Sequence, residues 1–145
     1  MNVRPSLLVR TGSRTIVPTI VAVSLFLLVV GHDAPGGGFV GGLLAGAALL
    51  VVFLAGGRPA VVSLLGVQPR SILGLGIAVS VATAALGLVF GSAFFDAGKL
   101  TLDLWLVGKI SVSSTLVFDI GVYLVVVGLI LTVLNELGDP EREDA

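Results

Sequence analysis

The sequence predicts an all-α integral membrane protein, with four transmembrane helices in two antiparallel hairpins and both termini cytoplasmic. Three observations lead there: composition, the number and length of the apolar runs, and the placement of charge. Of the 145 residues, 56% are hydrophobic and 12% charged, with a mean hydropathy of +1.14. Soluble domains carry about 45–50% apolar and about 25% charged residues, so the solvent for most of this chain is lipid. One crossing takes about 20 apolar residues, and the chain has room for four of them with short connections in a single membrane domain. Charge gathers at the two ends and in the connections.

The first span is read at residues 15–31. It follows an N-terminal stretch holding Arg4, Arg10 and Arg14 without an acid. A secretory signal peptide would need a shorter apolar region and a small-residue cleavage site, and residues 31–35 (Gly-His-Asp-Ala-Pro) supply none. Pro18 falls near the start of this run, where a missing amide hydrogen costs little. The second span, residues 37–56, opens in glycine and is broken by Gly56-Gly57-Arg58-Pro59. Residues 58–70 hold an apolar piece too short to cross, expected at the interface. The third span, 71–91, carries no charge between Ser71 and Phe90. Residues 92–111 mix Asp96, Lys99, Asp103 and Lys109 with Phe94, Phe95 and Trp105, which reads as a partly ordered interfacial loop, since aromatic rings favour the headgroup level. The fourth span is 112–135, followed by a charged tail at 138–145.

Orientation follows from the basic residues. With the N-terminus cytoplasmic, Arg4, Arg10, Arg14, Arg58, Arg70 and Arg142 lie inside and only Lys99 and Lys109 outside, as the positive-inside rule requires.

Several classes of function are excluded. The chain has no cysteine and a single histidine, His32, so thiolate chemistry, disulfides and a multi-histidine metal centre are impossible, and no cofactor is expected. Its basic residues are scattered, unlike a nucleic-acid footprint. No nucleophile has a histidine base within a span, which argues against an enzyme.

The remaining candidates are few. Gly38, Gly42 and Gly46 recur at intervals of four with Gly37 and Gly41 beside them, a small-residue seam that lets helix backbones approach where lipid supplies no hydrophobic drive. Gly74, Ala78 and Ala82 repeat the spacing on the third span. Asp119 sits several residues inside the fourth span, where a carboxylate is expensive and marks a partner or an ion path. Thr115 and Tyr123 stand four residues to either side of it, forming one polar stripe. Two readings stand for the stripe, an ion path or a structural hydrogen bond to a neighbour. Lys109 either snorkels to the interface or faces an ion path. His32 and Asp33, between the first two spans, suit a proton relay, while Asp33 alone suits the cap of the second helix.

The segment 31–42, Gly-His-Asp-Ala-Pro-Gly-Gly-Gly-Phe-Val-Gly-Gly, resembles the signature of the MnhB (MrpB) family, small membrane proteins of Mrp-type multisubunit sodium/proton antiporters. Residues 118–124, Phe-Asp-Ile-Gly-Val-Tyr-Leu, with Gly108-Lys109 ahead of them, form a second matching block. The resemblance runs from Arg10 to Leu137. It implies a small multi-pass subunit of the cell (inner) membrane, working with other membrane subunits in a hetero-oligomer that exchanges Na+ for H+ on the proton-motive force, in contact with membrane lipids. It singles out His32, Asp33, Pro35, Gly36, Gly37, Gly38 and Phe39, then Lys109, Asp119 and Tyr123. Related chains also occur in the membrane arms of energy-converting hydrogenases, and a purely structural subunit is a further alternative.

Overall fold

The computed structural model describes residues 7–31, 37–90, 100–104, 108–112 and 114–137, with side chains described within 15–31, 37–64, 66–89 and 114–137. Among the described residues are four helices, α1 (Leu7–Val30), α2 (Gly37–Leu65), α3 (Pro69–Phe90) and α4 (Ser114–Leu137), and two strands, β1 (Leu100–Leu104) and β2 (Gly108–Val112). Among the described residues α2, α3 and α4 are each long and apolar enough to cross a membrane, while the apolar part of α1 is the shorter Thr15–Val30.

Two elements differ from the sequence reading. Pro18 lies in the interior of α1, because the helix begins at Leu7. Its ring nitrogen therefore has no amide hydrogen to give the carbonyl one turn back. Within the expected loop, Leu100–Leu104 and Gly108–Val112 are strands that pair antiparallel, with Leu100 opposite Val112 and Asp103 opposite Lys109. The alternation Leu-Thr-Leu-Asp-Leu is the period-two pattern of a strand, and the surrounding aromatics and charges obscure it.

At the double glycine after the second span the helix is interrupted by a kink, and α2 comprises two helical segments. Gly57 adopts φ 68° and ψ −168° inside α2, a backbone region closed to residues with a Cβ, and a second helical segment then runs to Leu65. Gly66, at φ 60°, closes that segment as a left-handed cap, its amide donating to the Val62 carbonyl at 3.0 Å. Pro69 opens α3 at the first helical position, where its missing donor is harmless.

Glycine decides which helices touch. A Cβ on Gly38 would fall on the backbone of Asp119, one on Gly42 would lie 2.9 Å from Val126 Cβ, and one on Gly46 would strike the Ile130 side chain. The three glycines thus face α4 in ascending order, so α2 and α4 run parallel. On the other flank of α2, Gly37 abuts Gly31 and Gly41 approaches the Ser24 carbonyl, so α1 runs antiparallel to α2. Gly76 backs onto Val125 and Gly121, and Gly128 onto Leu73, so α3 runs antiparallel to α4. The helices therefore stand side by side in the order α1, α2, α4, α3. Ala45, Leu49, Val61, Val127, Leu131 and Leu134 form the core between α2 and α4. On α3 only 11% of its most apolar stretch is buried, against 39% on α2.

Candidate functional site

The seam between α2 and α4 places a polar junction where three helices meet. Ser24 of α1 is completely buried. Its hydroxyl donates to the Gly41 carbonyl of α2 at 2.8 Å and lies 2.9 Å from the Tyr123 hydroxyl of α4. Gly41 makes this geometry reachable, because a Cβ there would sit 2.9 Å from the Ser24 carbonyl oxygen and 3.4 Å from the Tyr123 ring. A hydroxyl buried in apolar surroundings must find such partners or forfeit its solvation.

Asp119 stands one turn before Tyr123 and is half-buried. As the sixth residue of α4 it lies about 8 Å inside the helix start at 1.5 Å per residue. Its backbone packs on Gly38, the second residue of α2. Asp119 is thereby set beside the first turn of α2, the end at which backbone amides concentrate partial positive charge. Gly38 has to be glycine for this approach.

The expected stripe of Thr115, Asp119 and Tyr123 divides in space. Thr115 lines a groove of about 320 Å³ between α3 and α4, with Thr83, Gly87 and Phe118, whereas the Tyr123 hydroxyl reaches Ser24 of α1 and the Asp119 backbone packs on Gly38 of α2. The reason is helical geometry: four residues advance 400°, so each step of an i, i+4 row drifts about 40° around the axis. Residues eight apart therefore look in different directions.

The other expected site residues fall as follows. Gly37, Gly38, Gly41, Gly42 and Gly46 form contacts with α1 or α4, and Phe39 is exposed on the outside of α2. Lys109 lies in β2, paired in register with Asp103, and its side chain is outside the described residues. His32, Asp33, Pro35 and Gly36 also lie outside the described residues. On α3 the row Gly74, Ala78 and Ala82 is exposed, and a Cβ on Gly74 would meet nothing within 4 Å.

Sequence reasoning missed Ser24 and the true seam of α3, which is Gly76 with Ser80. A Cβ on Gly76 would lie 2.6 Å from the Val125 amide nitrogen, and Ser80 lies against Gly121. The one signal in the sequence was a lone serine in the first apolar run; that Gly76 lies against Gly121, and Gly128 against Leu73, is visible only in the structure. The hydroxyls of Ser80 and Ser114 are buried without a hydrogen-bond partner among the described residues.

Comparison with known proteins meets this geometry at both of its blocks. Residues 8–132 match the family described as "Domain related to MnhB subunit of Na+/H+ antiporter". A Na(+)/H(+) antiporter subunit of Bacillus subtilis (strain 168) is 36% identical over 135 residues, which are 93% of this chain and 94% of that one. The "Putative antiporter subunit mnhB2" of Staphylococcus aureus (strain Newman) is 34% identical over 128 residues, 88% of this chain and 91% of that one. Among solved structures, the Mrp complex from Dietzia sp. DQ12-45-1b contains a chain that superposes with a TM-score of 0.72 at 34% identity, covering 96% of this chain and 15% of that one. The present chain thus corresponds to a small part of a much longer polypeptide in that complex. Both the Gly37–Gly46 seam and the Asp119–Tyr123 segment lie inside the matched region, and the chain belongs to the family of domains related to the MnhB subunit of Na+/H+ antiporters.

Proposed function

We propose that this chain is a small membrane subunit of a multisubunit cation/proton antiporter of the Mrp type, required for assembly and for Na+/H+ exchange driven by the proton-motive force. The observation that carries the reading is the likeness of the whole helical fold, in sequence and in shape, to part of an Mrp complex. That likeness favours an antiporter over the equivalent subunit of a hydrogenase membrane arm. The chain works in the cell membrane beside larger partner subunits, with four spans and both termini cytoplasmic. Its three helices that are long and apolar enough to cross a membrane, and the excess of arginine on the side of the 66–68 turn, support that placement.

Within this reading Asp119, with Tyr123, is the group that contacts the ion or proton path, and Lys109, His32 and Asp33 are the further candidates for it. Support comes from the position of a half-buried carboxylate within an apolar helix, beside the amide end of α2. Intramembrane carboxylates of this kind mark ion pathways or paired anchors. Asp119→Asn keeps the side-chain volume and is expected to leave the complex assembled while reducing Na+/H+ exchange in everted membrane vesicles at least about tenfold, the scale of one lost charge interaction. Wild-type exchange in an assembled Asp119→Asn complex would show that the carboxylate anchors structure only.

A further inference from the structure

Two arginines, Arg58 in the last part of α2 and Arg70 in the first turn of α3, stand on either side of the 66–68 turn, and both are tied to the last turn of α4. Arg58 Nε donates to Asn135 Oδ1 at 2.9 Å. A terminal nitrogen of Arg70 lies 3.5 Å from Glu136 Oε1. Their anchors are consecutive residues of one helix, so the guanidinium groups flank the same end of α4. The backbone explains how they come there: the left-handed bend at Gly57 redirects the chain immediately before Arg58, and Pro69 starts α3 immediately before Arg70.

Two spaces open between these side chains. One is a cavity of about 190 Å³ of mixed polar and apolar lining, bordered by Gln68, Pro69, Arg70, Thr132, Asn135 and Glu136. The other is a narrow cleft with Arg58 at its edge and apolar walls from Val61, Val62, Val67, Leu131 and Leu134. They adjoin, since Pro69 and Asn135 line both. Val62 and Val67, on the outer wall of the cleft, are more than half exposed, as is Leu64 beside them. Two arginines against Glu136 leave the lining with net positive charge, and the place is the shared end of three helices long and apolar enough to cross a membrane, where a spanning helix meets the headgroups.

We propose that this is a binding site for one anionic phospholipid. Its phosphodiester lies between Arg58 and Arg70, with Gln68 and Thr132 as additional donors, and an acyl chain runs along Val62 and Val67. Guanidinium matches phosphate oxygens in a two-point geometry, and the single 3.5 Å contact to Glu136 engages one nitrogen of a group with five donors. Basic pockets at helix ends select anionic headgroups, each cation being worth about fivefold in affinity. Adjacency of the apolar cleft is what favours a lipid over a free oxyanion, which would use the cavity alone. The site is independent of the ion path and of which cation is exchanged.

The test is retention of phosphatidylglycerol against phosphatidylcholine of identical acyl chains by the full chain, purified within its complex in mild detergent and read by native mass spectrometry. The wild-type protein is expected to prefer phosphatidylglycerol by about fivefold or more, and Arg70→Gln to remove about fivefold of that preference. The Arg70 side chain is 82% exposed, so this variant folds whatever becomes of the Arg58→Gln variant, which also loses the bond to Asn135. Inorganic phosphate at equal concentration is expected to leave phosphatidylglycerol bound. Equal retention of the two lipids, an unchanged preference in Arg70→Gln, or displacement by phosphate each overturns the proposal.

Discussion

Ser24 holds a hydrogen-bonding position that neither neighbour can supply for itself. The Tyr123 hydroxyl and the Gly41 carbonyl both converge on it, at a point in the bundle fully closed to solvent. Ser24→Ala therefore leaves the tyrosine hydroxyl without this partner, whereas Tyr123→Phe removes the hydroxyl and leaves Ser24 bonded to Gly41. Interhelical hydrogen bonds in membranes average about 0.6 kcal/mol, and an unmatched buried hydroxyl costs about 1–3 kcal/mol. The expected order is a larger loss of thermal stability for Ser24→Ala than for Tyr123→Phe, measured on the purified complex; the reverse order would mean that the tyrosine ring, not the hydroxyl pair, holds the junction. Neither change removes the carboxylate of Asp119, so exchange should fall less in both than in Asp119→Asn.

At the scale of the helices, glycine sets the pairing. In lipid the association of two helices draws on dispersion and close backbone approach, so each glycine counts only if another backbone lies opposite it. Gly42→Leu is expected to block assembly, since even its Cβ would lie 2.9 Å from Val126 Cβ and 3.2 Å from the Tyr123 carbonyl oxygen. Recovery of an intact, active complex with that variant would refute the seam. On α3 two glycines two residues apart give a sharper contrast. A Cβ on Gly76 would sit 2.6 Å from a backbone nitrogen of α4, while Gly74 has open space. Gly76→Ala should lower the melting temperature by the equivalent of about 1–3 kcal/mol, the usual scale of overpacking, and Gly74→Ala should leave the fold unchanged or slightly stabilise its helix. Equal effects would mean that α3 packs on α4 by another face.

Over the whole molecule, the parallel pairing of α2 with α4 brings the starts of both helices to one end, together with strands β1 and β2, and leaves the 66–68 turn and the end of α4 at the other. Under the orientation proposed above from the distribution of arginine, the second end is the one that faces the cytoplasm. Because the chain has no cysteine, Gln68→Cys and Thr101→Cys each introduce a single reporter. In intact cells a membrane-impermeant maleimide is expected to label Thr101→Cys and to reach Gln68→Cys, whose native side chain is exposed, only after permeabilisation. The opposite pattern would invert the topology and move the Asp119 end to the cytoplasmic side.

The physical grounds on which this fold can be read without coordinates are solvent and period. Lipid demands that backbone polar groups be satisfied within a segment, so long apolar runs read as helices, and the spans at 71–91 and 112–135 were read for that reason; the helices there run Pro69–Phe90 and Ser114–Leu137. The Gly38, Gly42 and Gly46 seam was legible too, because a row of absent side chains is meaningful only as a site of close approach. Asp119 stood out by the expense of its setting, and the 31–42 and 118–124 segments carried the family resemblance. Partner choice is a different kind of information. The Gly74 row has the same spacing as the seam on α2 yet faces outward, while Gly76, with no spacing to recommend it, meets the α4 backbone. Spacing records which residues share a helix face, and only the tertiary structure says what lies opposite that face. The same holds for Ser24, ordinary in sequence and central in space, and for Arg58 and Arg70, twelve positions apart in the chain, which a bent helix and a tight turn bring to one end of α4.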